Sequence, residues 1–295
     1  MVPRVRRVLL PTDFSEATES AAQWATWIAG QFRAELILLH VLEEDGWMLR
    51  ALSDTERTQG EDPLQARGRF IRTELERWRE RFGAHRAELR PGLPHEVIPE
   101  VSRALGVDLV CMGTHGRSGI HRVFFGSVAE QVVRTSPVPV LTVRPQTPPH
   151  LRRILVATDF SPPAQGALAW ARLLSRTTGA EVVLLHVVEL TPEVLAAIPE
   201  EILAPAVGGR IREYLLGQAH QRLEAVARPE EGVAVRMGGV GHHIVEAVQE
   251  LHADLVCMGT HGRTGLAHLV LGSVAEQVVR RSPVPVLTVR EASEP

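Results

Sequence analysis

One spacing governs what this chain can fold into. Asp108-Leu-Val-Cys-Met-Gly-Thr-His-Gly-Arg117 recurs unchanged as Asp254 to Arg263, and Gly126 to Arg134 recurs as Gly272 to Arg280. Ser136 to Arg144 returns as Ser282 to Arg290, Thr12-Asp-Phe-Ser15 as Thr158 to Ser161, and Leu39-His-Val41 as Leu185 to Val187. Thr12 and Thr158, Asp108 and Asp254, and Gly126 and Gly272 all stand 146 positions apart. A constant offset over the whole length denotes a duplicated domain and excludes a short-period solenoid. The chain of 295 residues therefore divides into domains 1–146 and 147–295, each within the ordinary size range. The joint is Pro145-Gln-Thr-Pro-Pro-His150, a run that continues neither a strand nor a helix.

Within each copy, apolar runs alternate with stretches of helical period. Val5 to Leu10 and Ile154 to Ala157 read as first strands. Ser15 and Ser161 follow as helix N-caps, with Pro162 at a first helical position where a missing N–H is harmless. Ala21, Trp24, Ala25, Ile28 and Phe32 form an apolar helical stripe. Leu36 to Val41 and Val182 to Val188 are continuous enough to be strands buried on both faces. Leu64, Ile71, Leu75, Trp78 and Phe82 mark a second helix, whose Arg- and Glu-rich other face is read as solvated. The third strands, Ala84 to Arg90 and Val233 to Met237, are more polar and belong nearer an edge. Helices at 96–105 and 243–251, strands at 108–112 and 254–258, helices from Ser127 and Ser273, and strands at 139–144 and 285–290 complete the copies. This β-α alternation predicts a parallel sheet with helices on both faces, an α/β doubly wound unit made twice.

Composition narrows the function. All 32 basic residues are Arg, so Schiff bases and the lysine of a Walker-type loop are excluded. A net charge of −3 argues against a dedicated nucleic-acid binder. Cys111 and Cys257 each lie in the strand pattern Asp-Leu-Val-Cys-Met and read as small buried residues rather than a disulfide or redox pair. The opening MVPRVRRVLLPTD has no secretory pattern, and no apolar run reaches the ~18 residues that span a bilayer. The expectation is a soluble, cytoplasmic protein without a membrane partner.

Doubly wound sheets bind ligands beyond the carboxyl ends of their strands, where the strand order reverses. Thr12-Asp13 follows the first strand, and His40-Val41 ends the second. After the fourth comes Gly113-x-x-Gly116, nine residues, then Gly126-Ser127 at a helix start. Glycines let backbone N–H groups approach an anion, and the helix adds unpaired donors and a positive dipole end. The Ser127 hydroxyl and the Arg117 charge complete a phosphate cradle that needs no lysine. Ser127-x-x-Glu130 is also a capping box, in which Ser127 simply caps its helix. Asp13 and Asp159 either hold a sugar hydroxyl or Mg²⁺, or cap the following helix. His115 and His261 either contact a phosphate, act as an acid, or do neither. His40 and His186 are read as structural, and His242-His243 lacks the partner pair of a metal site.

The twice-present Gly-x-x-Gly-x₉-Gly-Ser resembles the ATP-binding branch of the universal stress protein family in tandem two-domain form, a resemblance covering nearly the whole chain. It implies five-stranded parallel sheets in the order 3-2-1-4-5 and a site for ATP, AMP or ADP, with Mg²⁺ accompanying the nucleotide. By this resemblance the site of the first repeat comprises Pro11, Thr12, Asp13, Val41, Met112, Gly113, His115, Gly116, Arg117, Gly126, Ser127 and Val128. That of the second comprises Ala157, Thr158, Asp159, Val187, Met258, Gly259, His261, Gly262, Arg263, Gly272, Ser273 and Val274. Ala157 stands where the first repeat has Pro11, a small departure. The resemblance also implies pairing through the last strands, between the two repeats or in a homodimer. The expected function is a nucleotide-binding stress or regulatory protein. The alternatives are a slow ATPase or nucleotidyl-transfer enzyme, and a dimerisation module that binds no ligand.

Overall fold

The computed structural model describes residues 4–43, 63–114, 125–191, 194, 196, 198, 210–262 and 271–290. The chain forms two compact units, the first ending at Pro149 and the second beginning at His150. In the first, β1 (Arg7–Pro11), α1 (Glu16–Phe32), β2 (Glu35–Leu42), α2 (Pro63–Phe82) and β3 (Arg86–Pro91) are followed by α3 (Pro94–Ala104), β4 (Leu109–Gly113), α4 (Ser127–Thr135) and β5 (Val140–Val143). In the second, β6 (Arg153–Ala157), α5 (Pro162–Thr178), β7 (Glu181–Val188), α6 (Arg210–Glu224) and β8 (Gly232–Met237) lead to α7 (Val240–Glu250), β9 (Leu255–Gly259), α8 (Ser273–Arg281) and β10 (Val286–Val289).

All strand pairs within each unit are parallel, in the order 3-2-1-4-5 for the first and 8-7-6-9-10 for the second. Burial follows that order. β2 keeps six consecutive residues out of water, because helices cover both faces and no polar side is needed. β3 and β8, at the end of their orders, stay partly exposed throughout, as their polar sequences predict. Pro137 and Pro139 lie just before β5 and not within it, so neither breaks its ladder. The Pro139 carbonyl accepts from Val110 N–H at 3.0 Å, so the proline still serves the sheet as an acceptor.

The start of each sheet is fixed by a residue whose recurrence the sequence shows without its purpose. Asp108 accepts the backbone N–H groups of Arg6 and Arg7 at 2.7 and 2.9 Å, and Asp254 those of Arg152 and Arg153 at 2.7 and 3.0 Å. The carboxylate at the head of the fourth strand thus ties in the chain entering the first. Ser15 and Ser161 cap α1 and α5 as predicted, accepting from Thr18 and Ala164 N–H. Cys111 and Cys257 are free thiols buried at the sheet centre, where burial pushes their ionisation far above the ordinary range. They act as small apolar residues. No helix among the described residues is long and apolar enough to cross a membrane.

Candidate functional site

The site forms where two neighbouring strands end. β6 and β9 pair in register, Ile154 with Leu255 through Ala157 with Met258, so Thr158-Asp159 emerges beside Gly259. In the first unit β1 and β4 pair likewise, Val8 with Leu109 and Leu9 with Val110. Pro11, Met112, Ala157 and Met258 are buried strand residues at this junction, and Val41 and Val187 lie near the buried ends of the second strands.

The turn after the first strand has the same construction in both units. Phe14 and Phe160 adopt left-handed backbone, φ 61° and 67°. That conformation is costly for a residue with a bulky side chain, and the surroundings hold it in place. The Thr12 hydroxyl accepts Phe14 N–H at 2.9 Å, and the Thr158 hydroxyl accepts Phe160 N–H at 3.0 Å. The Thr12 and Thr158 carbonyls each accept from a histidine Nδ1 at 2.7 Å, that of His40 and of His186. A carbonyl only accepts, so Nδ1 carries the proton in both rings. The phenyl rings then pack on those imidazoles, with centroids 4.6 and 4.8 Å apart. The two strand-end histidines are therefore structural, as expected. What they brace is the turn that presents Asp13 and Asp159. Each aspartate also accepts the N–H of the next N-cap serine, Ser15 or Ser161, at 3.0 Å.

The glycine segments are closed at the neck. Thr114 N–H bonds Val143 and its carbonyl receives Gly126 N–H at 2.8 Å; Thr260 N–H bonds Val289 and its carbonyl receives Gly272 N–H at 2.9 Å. Beyond the neck α4 and α8 begin. The capping-box reading of Ser127 and Glu130 is corrected here. Gly126 and Gly272 are the N-caps, without a side-chain cap bond, and the Gly126 carbonyl accepts Glu130 N–H. Ser127 and Ser273 are first-turn residues with exposed side chains, one position past the cap. An uncapped first turn leaves its N–H groups, at Ser127-Val128-Ala129 and Ser273-Val274-Ala275, without intrahelical acceptors.

In the second unit three residues of the segment itself are placed. A side chain at Gly262 would meet Asp159 Oδ2 at 2.9 Å, and one at Gly259 would meet Pro163 Cβ at 2.8 Å and Ala164 N at 3.1 Å. A side chain at Gly259 would press on a proline ring and on backbone, while one at Gly262 would displace the Asp159 carboxylate, and that second approach brings the aspartate turn against the glycine segment. Between them, His261 Nδ1 lies 2.8 Å from the Thr260 hydroxyl, while Nε2 is buried with no hydrogen-bond partner among the described residues. A buried polar nitrogen left unsatisfied is costly, and a ligand oxygen is one remedy. His115, Gly116, Arg117 and Arg263 lie outside the described residues. His242 and His243 both pair with Glu246, at 3.0 and 2.9 Å, and no metal-binding group is found among the described residues.

The site escaped sequence reasoning in three respects: the left-handed Phe14 and Phe160, the neck carbonyls of Thr114 and Thr260, and the Thr18 hydroxyl on Asp13 at 2.7 Å. Repetition of Thr-Asp-Phe-Ser and Gly-Thr-His-Gly was the available signal for the first two. Thr18 has no such signal, because its counterpart is Ala164.

Fold and site together define a class: two doubly wound parallel α/β units in tandem, each with a glycine segment feeding a helix N-terminus beside an aspartate turn. The Universal stress protein family profile matches residues 4–144 and again 150–290, and the chain belongs to that family. It is 26% identical over 305 residues to a universal stress protein of Mycobacterium tuberculosis strain H37Rv, covering 97% of both chains. A shorter universal stress protein of Thermus aquaticus is 32% identical over 142 residues, 47% of this chain and 98% of the relative. Among solved structures, a universal stress protein from Archaeoglobus fulgidus superposes with a TM-score of 0.67 at 24% identity, covering 97% of this chain and 98% of that one, which shows the shared fold.

Proposed function

We propose that each unit binds a nucleotide, ATP in the first instance, and that occupancy serves a regulatory role in the response to stress. The observation that carries the reading is the second-unit juxtaposition. Gly262 lies against Asp159, and the backbone of His261, whose buried Nε2 has no partner among the described residues, lies against Gly272 at the uncapped first turn of α8. Backbone N–H groups of Ser273, Val274 and Ala275, the positive end of the helix dipole and a histidine nitrogen form a donor set for phosphate oxygens. The aspartate would repel those oxygens directly, so its partner is a sugar hydroxyl or a Mg²⁺ carried on the phosphates. Met112, Met258, Val41 and Val187 supply apolar surface for the base at the strand ends.

The test exploits the exposure of Ser127 and Ser273. A carboxylate in a first helical turn favours the helix, so Ser127→Glu and Ser273→Glu keep the fold while repelling phosphate. Calorimetric titration of nucleotide-stripped protein with ATP and Mg²⁺ should give two sites for the parent, one for each single variant and none for the double. A parent that binds no nucleotide while fully folded sinks the proposal. Phosphate release measured on the same samples distinguishes a binding protein from an ATPase. Release in proportion to protein and abolished in the double variant would move the chain into the second class.

A further inference from the structure

The two aspartate turns differ in what the third residue of the following helix offers the carboxylate. In the first unit Asp13 Oδ1 accepts two hydrogen bonds, from Ser15 N–H at 3.0 Å and from the Thr18 hydroxyl at 2.7 Å. Ser15 Oγ in turn lies 3.2 Å from Thr18 Oγ1. The single hydroxyl proton of Thr18 goes to the carboxylate, which only accepts, so Ser15 donates to Thr18. Thr18 itself is buried, at 4% exposure, and cannot exchange this partner for water. In the second unit Ser161 N–H bonds Asp159 Oδ1 at 3.0 Å, with the same geometry. The residue three positions past that cap is Ala164, whose N–H reaches Ser161 Oγ at 3.4 Å as Thr18 N–H reaches Ser15 Oγ. Alanine has no hydroxyl to offer the aspartate. The serine caps and aspartate turns are built alike, but α1 opens Glu16-Ala17-Thr18 and α5 opens Pro162-Pro163-Ala164, so the second helix has no hydroxyl at its third position.

We infer that Thr18 is a positioning residue that fixes Asp13 for the nucleotide, and that the two units therefore bind nucleotide unequally, the first more tightly. The inference rests on the proposed nucleotide site. A carboxylate held by a charge-assisted bond from a buried hydroxyl keeps one rotamer, so it loses less conformational freedom when a ligand engages its other oxygen. Asp159 has no such bond from the third residue of its helix.

The experiment isolates each site with the glutamate variants. In Ser273→Glu protein, where only the first site remains, Thr18→Val should weaken ATP·Mg²⁺ binding about tenfold, the scale of one hydrogen bond to a charged group. Thr18→Ser, which keeps the hydroxyl, should retain the parental affinity. In Ser127→Glu protein, Thr18→Val should change nothing, and Ala164→Ser should tighten the second site about threefold. Parental affinity in Thr18→Val overturns the inference, and so does an equal loss in Thr18→Ser, which would make Thr18 a packing residue. If Thr18→Val does not fold, Ala164→Ser decides: unchanged affinity overturns the inference and tightening supports it. Absence of nucleotide binding in both glutamate parents is a different failure, since it removes the site itself.

Discussion

At the scale of single residues, one two-pronged ion pair stands apart from the candidate site. Arg172 on α5 grips Glu231 through both carboxylate oxygens, Nε to Oε1 and Nη2 to Oε2, each at 2.7 Å. Arg228 N–H adds a third bond to Glu231 at 2.9 Å, and Arg172 also reaches the Val226 carbonyl. The Glu231 side chain is 4% exposed, so this is a partly buried, two-pronged pair and not an ordinary surface bridge. Burial alone would push the Glu231 carboxyl up. The Arg172 bonds, the Arg228 N–H and the two positive charges outweigh it and hold the group below its ordinary value of 4.5. A depressed acid contributes stability that is complete above its unfolded value and is lost as pH falls through the folded one. Glu231→Gln should therefore lower the unfolding free energy by about 2 kcal/mol at neutral pH, with the difference shrinking below about pH 4. Denaturant midpoints for both proteins across that range check it; a pH-independent difference would assign the loss to packing.

At the scale of elements, helix starts distinguish structural from functional ends. α5 begins with a serine cap, Pro162 at its first position and Ala164 N–H bonded to the cap, so its start is satisfied internally. Ser161→Ala should cost about 1 kcal/mol of stability, with no loss of nucleotide affinity beyond what the Asp159 turn transmits; a melt and a titration on one preparation separate the two. α8 begins on a glycine and leaves its donors outward. The sequence made nearly all elements legible, because six buried residues in β2 or a capped apolar stripe in α1 announce themselves by period. It placed the start of α4 at Ser127, where the structure has it, but left the cap open, since Gly-Ser-Val-Ala-Glu reads equally as a serine cap or as a glycine cap followed by serine. The candidate site was legible as positions, not as contacts. Nothing in Thr-Asp-Phe-Ser shows that its phenylalanine turns left-handed or that a histidine from the second strand braces its threonine. Both depend on strands brought together from about 28 residues away, the separation of Thr12 and His40. The segments that follow the second strands, where the repeats diverge, lie almost wholly outside the described residues.

At the scale of the whole molecule, duplication and composition act together. Every fixed positive charge in the 295 residues is a guanidinium or the amino terminus, because lysine is absent. Any side-chain cation that reaches a phosphate through this fold is therefore an arginine (a histidine aside), with a planar fork suited to paired phosphate oxygens and a charge that does not titrate near neutrality. Arg117 and Arg263 are the arginines that the repeat places in both glycine segments. On the proposed reading, a dicarbonyl reagent selective for arginine should abolish ATP binding. Bound ATP·Mg²⁺ should slow modification of the two peptides carrying Arg117 and Arg263, while other exposed arginines react at their usual rate. An amine-selective acylating reagent, by contrast, finds only the amino terminus and should leave binding intact. Peptide mass spectrometry with and without nucleotide reads both reactions. Protection at one peptide only would locate the occupied unit, and the glutamate variants would show whether it is the one that Thr18 serves. Binding that persists after both arginines are modified would mean that backbone N–H groups and the helix ends hold the phosphates alone, and would remove the arginines from the site.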